Sequence, residues 1–360
     1  MKGLRNLLIY LNGIGIVNDQ IIEIKNYFEA NNLNFEDIRK IDEFIDLLDF
    51  LRPATKLRLK NFDEGFFERL DNHLKGKDTK IISIFDENYP ENLKYIDNPP
   101  QVLYLNGYIP EEVKIGVVGA RKYSDYGEFV TKKFVRELTD LGAVIVSGLA
   151  YGIDSIAHRT CLENKGKTIG VLGNGVDVIY PYKNQSLYEK VSKNGGVISE
   201  YPFETQPLPF RFPERNRIIS GLSSAVIVME ARTKSGSLIT ARIGAEQGKE
   251  IFSVPGNINS PLSEGTNLLI RDGAYPLLSI DDILSKISEL NQNKKMVALK
   301  SDELGEDEKE IYELIYNGIK DVEKIAANSK YNISFVSGIL TVLELKGFIE
   351  EVGKGEFSIR

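Results

Sequence analysis

Cysteine and histidine are almost missing from this 360-residue chain, which has one cysteine, Cys161, and only His73 and His158. A single cysteine excludes an internal disulfide framework and suits a reducing cytoplasm. With so few ligand-type side chains no metal cluster can be assembled at ordinary spacing. Long apolar runs are missing as well. The apolar opening from Leu7 to Val17 is interrupted by Asn12, Gly13 and Gly15. It is too short to span a bilayer and lacks a small-residue cleavage site, so no signal peptide is expected. Nucleotide signatures are absent too. No G-x-x-x-x-G-K-[ST] occurs, which leaves P-loop ATP hydrolysis unsupported. The turn Gly173-Asn174-Gly175 lacks the third glycine of a dinucleotide fingerprint, and the first strand of that region lacks G-x-G-x-x-G altogether. No cofactor is expected.

What is present is the composition of a soluble globular protein, 42% hydrophobic and 27% charged, long enough for two or three domains. The net charge of −7 is unevenly spread. Residues 1–108 carry 14 basic and 18 acidic side chains, 109–288 carry 21 and 20, and 301–360 carry 7 and 13. The glycine-rich middle is therefore the least acidic large block. Binding to a polyanion depends on such local distribution rather than on the total.

Residues 1–75 read as short helices. Within them LNGIGIVNDQIIEIKNYF (11–28) resembles a helix-hairpin-helix or SAM-like turn whose amides could hold a phosphate; the plain alternative is a helical turn. Residues 76–110 read as a connector with one short strand, IISIF (81–85). From 111 to 288 apolar strand candidates (114–119, 143–148, 167–173, 196–200, 224–230, 250–256) alternate with helical stretches. In one stretch Val130, Phe134, Leu138 and Leu141 fall on a single helix face. This alternation predicts an α/β fold with a parallel sheet covered on both faces. A polar linker is expected at 289–305. Three helices and a hairpin turning at Gly353, Lys354 and Gly355 follow over 306–360, the layout of a winged helix.

Several turns sit where an apolar strand hands over to a helix, the edge at which open α/β sheets bind ligands. In VVGARKYSDYG (117–127) Ser124 is the expected helix cap, and Arg121 is placed to grip phosphate or, alternatively, to pair with Asp125. EARTKSGSLITA (230–241) offers Lys234 and the small-residue turn Ser235, Gly236 and Ser237, a set suited to an anion or to plain capping. FPERNRIISG (212–221) supplies Arg215, Asn216 and Arg217, with Arg211, Phe210 and Phe212 close by, which suits a backbone-and-base surface. Asp154, His158 and Ser147 form a conceivable catalytic set, but the G-x-S-x-G elbow is missing and a structural role is favoured. Glu200 and Glu230 end strand candidates and could face one cleft as paired carboxylates, yet nothing around them prepares a leaving group.

The ordered series VGARKYSDYG, SGLAYGIDSIAH, VLGNGVDVIYPYKNQSL, GGVISEYP, FPERNRIISGLS, EARTKSGSLITA, VPGNI and GTNLLIRDGA resembles the DNA-processing protein A (DprA/Smf) family over about residues 80–280. The resemblance implies an extended Rossmann-like core, a homodimer, and a non-enzymatic protein that binds single-stranded DNA. It further implies loading of the recombinase RecA and protection of incoming DNA during natural transformation. By motif, Arg121, Arg215, Asn216, Arg217 and Lys234 to Ser237 would line the DNA pocket. Where the family often has a basic residue after Tyr-Pro, this chain has Tyr182 followed by Lys183, so either a lysine contact or a tyrosine stack would replace it. GTNLLIRDGA resembles the dimerisation region, with Leu269 and Ile270 as candidate contacts; the alternative for both is packing on the sheet. A reading of another class is a nucleotide-acting Rossmann enzyme of the phosphoribohydrolase type, but its P-G-G-x-G-T turn is absent.

Overall fold

The computed structural model describes residues 2–291, 304–316, 318–353 and 355–359. Residues 292–303 of the expected linker, and Lys354 of the expected hairpin turn, lie outside the described residues. The chain divides into two compact units, Met1–Ile287 and Ser288–Arg360.

In the first unit the strands are β1 (Thr79–Ser83), β2 (Val102–Gly107), β3 (Lys114–Val118), β4 (Val144–Ser147), β5 (Thr168–Val171), β6 (Gly195–Ser199), β7 (Ala225–Val228), β8 (Glu250–Ser253) and β9 (Tyr275–Pro276). The helices are α1 (Lys2–Gly13), α2 (Asn18–Ala30), α3 (Pro53–Lys60), α4 (Phe66–Leu74), α5 (Asp125–Asp140), α6 (Ile153–Glu163), α7 (Gln185–Lys193), α8 (Arg211–Leu222), α9 (Gly236–Glu246), α10 (Glu264–Arg271) and α11 (Ile280–Leu284). Every residue of β4, β5, β6 and β7 is buried, so neither face of these strands can be left to water. Helices therefore cover both sides, and the strands pair in parallel, as buried apolar runs require. The sheet has nine strands in the order β1-β2-β6-β5-β4-β3-β7-β8-β9. It is mostly parallel and Rossmann-like. Helix α5 shows how the covering works. Ser124 caps it, accepting from the Gly127 amide at 3.2 Å, and Val130, Phe134 and Leu138 form the buried stripe that the spacing predicts.

Residues 76–110 are more than a connector. Besides β1 they supply β2, which pairs antiparallel with both β1 and β6 and extends the sheet beyond its parallel core. Residues Val102 to Leu105 are all buried. Gly107 closes the pairing in the left-handed region at φ 103, where a β-carbon would sit 2.3 Å from the Ser192 carbonyl.

The N-terminal helices share a core with this strand. Leu7, Leu8, Leu11, Ile21, Ile24 and Phe28 pack in one cluster with Val102 and Tyr104 of β2. Residues 1–75, 76–110 and 111–287 thus belong to a single compact unit. At the turn between α1 and α2 the amides of Ile14, Gly15 and Ile16 donate to the carbonyls of Tyr10, Asn12 and Leu11. The Arg58 guanidinium donates to the Gly15 carbonyl. Those three amides are thus satisfied within the turn, which favours the plain helical-turn reading over a phosphate site.

The second unit contains α12 (Glu306–Tyr316), α13 (Val322–Ala327) and α14 (Ile333–Leu345), followed by the antiparallel hairpin β10 (Ile349–Gly353) and β11 (Glu356–Ile359). Its core gathers Ile311, Ile315, Ile325, Val336, Leu340, Leu343 and Ile349. Asp321 and Asn332 cap the second and third helices, accepting from Lys324 at 3.0 Å and Phe335 at 2.9 Å. Among the described residues no helix is long and apolar enough to cross a membrane.

If β2 is an integral strand, Leu103→Ala, at a fully buried position, lowers the unfolding free energy of the intact chain by about 3 kcal/mol in urea titrations. A loss below about 1 kcal/mol would place that segment outside the core.

Candidate nucleic-acid interface

From β3 the chain moves outward through β4, β5 and β6 on one side and through β7 and β8 on the other. The carboxyl ends of β3 and β7 are therefore a topological switch point, where diverging loops leave a crevice. A cleft of about 610 Å³ opens there. Five cations line it, namely Arg121, Lys122, Arg215, Arg232 and Lys234, against one carboxylate, Asp154.

Arg121 lies in the loop after β3. It is exposed, forms no ion pair among the described residues, and rests its guanidinium 5.5 Å from the centre of the Phe212 ring. The alternative pairing with Asp125 is not formed. The loop itself is held from below by Glu230, which is buried and accepts from the Ser124 amide at 2.9 Å and its hydroxyl at 2.5 Å. The loops after β3 and β4 touch at Gly152, where φ is 80 and a β-carbon would lie 2.3 Å from the Ala120 carbonyl. Phe212 also stacks on Tyr180, with ring centres 5.7 Å apart and planes at 26°. Arg121, Phe212 and Tyr180 thus make a layered wall with flat faces beside a cationic edge.

Helix α8 supplies the floor. Arg215 is 4% exposed and donates to the Gly148 carbonyl at 2.9 Å and to the Val171 carbonyl, tying together the ends of β4 and β5. Burial pulls its guanidinium down to about 10, still well above neutrality, so the positive charge remains. Burial pushes the nearby Asp154 carboxyl up, against the opposing pull of Arg215. Asn216 donates to the Gly236 carbonyl at 3.3 Å and so holds the first turn of α9. In that turn Ser235 is the cap, its hydroxyl 2.8 Å from that of Ser237. Lys234 and Gly236 are exposed at the rim. A β-carbon on Gly236 would meet nothing within 4 Å, so the fold itself does not require glycine there.

Arg121, Arg215, Asn216 and Lys234 to Ser237 are therefore brought together around one cleft. Arg217 and Lys183 are not. Consecutive helical residues are rotated by about 100°, so Arg217 points away from the face that carries Arg215. Its guanidinium contacts the buried carboxylate of Glu200. Lys183 and Tyr182 are exposed on a single turn of 3₁₀ helix, Tyr182–Asn184, and neither lines the cleft. Lys122, Arg232 and Tyr180 line it without having been singled out by motif. The first two sit within two residues of Arg121 and Lys234, which was the available signal. Leu269 and Ile270 are half-buried on α10, and Leu269 packs against the main core.

The groups of the catalytic alternatives are engaged with other partners. Glu200 follows β6 and Glu230 follows β7, and β5, β4 and β3 run between them, so they are not a carboxylate pair. The Ser147 hydroxyl donates to the Val117 carbonyl at 2.6 Å. The Thr168 hydroxyl donates to the Ile145 carbonyl at 2.7 Å, which leaves its oxygen to accept from Nδ1 of His158, also at 2.7 Å. His158 is thereby fixed as the Nδ1–H form, with Nε2 buried and unpartnered. Among the described residues no group of three potential metal ligands occurs.

The family model for DNA recombination-mediator protein A matches residues 80–288. The chain belongs to that family. Among relatives of this recombination-mediator family, DNA processing protein DprA of Bacillus subtilis is 42% identical over 239 residues, spanning 65% of this chain and 80% of the relative. DprA of Streptococcus pneumoniae is 39% identical over 276 residues, spanning 76% and 94%. The solved structure of DprA from Streptococcus pneumoniae superposes with a TM-score of 0.68 at 36% identity, covering 78% of this chain and 96% of that one. The structure of DNA processing protein A from Helicobacter pylori, which concerns that protein's single-stranded DNA binding mode, gives 0.53 at 32% identity, covering 61% and 97%.

His158 yields a pH prediction. Burial lowers its folded value to about 3 from 6.5. The unfolded chain alone takes up a proton between those values, so stability falls as pH drops through that window. From pH 7 to pH 5 the residue costs the fold about 2 kcal/mol. Denaturant titrations should show the stability gap between wild type and His158→Gln narrowing by that amount.

Proposed function

We propose that the cleft holds a single strand of DNA without cutting it. One observation carries this reading: five cations and the open start of α9 converge beside the stacked faces of Tyr180 and Phe212 at the switch point. Amides and guanidinium groups bind phosphate without regard to sequence, and flat aromatic faces favour bases that are unpaired. Arg121, Lys234 and the Ser235 to Ser237 turn are the phosphate contacts in this reading. Arg215 supplies charge from beneath, Asn216 holds the turn, and Lys183 is a contact of a longer strand at the periphery. The single-strand binding described for the Helicobacter pylori relative supports the same ligand.

On this reading the protein works in the reducing cytoplasm as a homodimer through α10, with Leu269 and Ile270 near the contact. It delivers the strand to RecA and shields it during transformation or recombination. Two pockets on one strand raise affinity through effective concentration. Residues 306–360 form a winged helix with a protein-contact role. The stretch 301–360 carries seven basic against thirteen acidic side chains, and α14 contains no lysine or arginine to grip phosphate.

Fluorescence anisotropy with oligo-dT tests the cleft. Wild type should bind with steep salt dependence. Arg121→Ala should weaken binding at least tenfold and reduce the slope of log K against log salt by about 0.7, as expected for one lost phosphate contact on a single strand. Gly236→Ala should weaken binding while leaving the melting temperature nearly unchanged, since the added β-carbon meets no protein atom within 4 Å. Micromolar binding to duplex would overturn the strand preference and the role given to the winged helix. A released base or cleaved strand would favour the phosphoribohydrolase-type reading instead. Faster RecA filament formation on oligo-dT, and loss of the dimer in Ile270→Glu by sedimentation, are the expected outcomes for the partner assignments; no acceleration, or an unaltered dimer, would remove the corresponding one.

A further inference from the structure

Arg217 is the cation of the FPERNRIISG segment that does not line the cleft. Its side chain is 11% exposed and that of Glu200, which it contacts, 8% exposed. Arg217 Nη1 is buried with no partner. A phosphate reaching this guanidinium would have to displace Glu200 and leave that carboxylate buried and uncompensated. The position is therefore poorly suited to a DNA contact.

The pair instead joins elements that are far apart in the chain. Glu200 sits just after β6, and its carbonyl accepts from the Asn12 side chain of α1 at 3.0 Å. The Asn12 side-chain oxygen accepts from the Tyr104 hydroxyl of β2 at 2.9 Å. Asn12 and Tyr104 are both buried. On the other side, the Arg217 carbonyl accepts from Gln247 at the end of α9 at 3.1 Å, and neighbouring Asn216 holds the start of α9. A continuous buried polar path thus runs from the N-terminal helices, through Glu200 and Arg217, to the helix that carries Phe212 and Arg215.

We propose that Glu200 and Arg217 are a positioning pair for α8, and that Asn12 extends it, so that the N-terminal helical layer helps set the geometry of the DNA cleft. This rests on the reading of that cleft as the single-strand site. An isolated apolar contact would bury area equally well but would leave the rotation of α8 less defined. An ion pair held at both ends by hydrogen bonds selects one rotation.

The test is oligo-dT anisotropy on the full chain across a salt series, with thermal unfolding to verify that each variant is folded. Arg217→Met should weaken binding about tenfold at fixed salt with an unchanged salt slope, and Arg217→Lys should stay within threefold of wild type. Glu200→Gln removes a negative charge, so electrostatics alone would strengthen binding; the positioning role requires it to weaken. Asn12→Leu, in the N-terminal layer, should weaken binding in the same slope-neutral way. The double variant Glu200→Leu with Arg217→Met, which leaves no buried charge unpaired, should recover stability but not binding, because an apolar contact leaves the rotation of α8 undefined; full recovery of binding would overturn the positioning role. If Arg217→Met fails to fold, Glu200→Gln and Asn12→Leu carry the test. Tight binding by wild type together with a slope reduced by about 0.7 in Arg217→Met would make Arg217 a phosphate contact, overturning this proposal but not the cleft. Stronger binding by Glu200→Gln would overturn it equally. Absence of oligo-dT binding by wild type would overturn both.

Discussion

One buried guanidinium organises the sheet edge. Arg215 comes from α8 but donates to carbonyls at the ends of β4 and β5. A cation nearly sealed from water is costly unless its hydrogens are used and a negative group lies near. The carbonyls use the hydrogens of Nη1 and Asp154 lies near, while Nε stays buried without a partner. Because the guanidinium is planar and its bonds are directional, it sets the height and rotation of α8 over two strand ends at once. Phe212 on one side and Asn216 on the other then take their places, and through Asn216 the first turn of α9 does too.

The surrounding charges divide by role. Glu230 accepts from Ser124 and steadies the Arg121 loop, while Glu200 contacts Arg217 behind α8. Both carboxylates are thus engaged in supporting structure. Arg121, Lys122, Arg232, Lys234 and Gly236 are exposed at the rim. An edge whose acids are committed inward and whose cations point outward suits the holding role proposed for the cleft.

The extension of the sheet has a consequence for the N-terminal helices. A strand reversed at the edge, β2, presents Val102 and Tyr104 to the core of α1 and α2. The helical layer is therefore built onto the same sheet that carries the cleft. Nothing in residues 1–75 signals this, because the contacts that create it lie 92 and 188 residues away from Asn12 in sequence, at Tyr104 and Glu200.

Local chemistry made much of the protein legible. Continuous apolar runs located β3 to β8 with ends off by at most three residues, since burial on both faces favours such a pattern. Ser124 and Ser235 marked helix starts because a hydroxyl at that position satisfies an orphan amide. The ordered motifs were enough to place the chain in its family, and they pointed to Arg121, Arg215, Asn216 and Lys234 to Ser237, which the fold gathers around one cleft. What depended on long-range pairing was not legible. Strand β2 looked like part of a connector because its partner β6 lies some ninety residues on. Arg215 and Arg217 read alike in sequence, two arginines in one motif, and Glu200 and Glu230 read as a pair. Helical rotation turns the first two to opposite faces, and strand order places three strands between the second two. Residue type and spacing determine which groups can bind an anion; only tertiary structure decides which of them face it, because direction is set by packing partners remote in the chain.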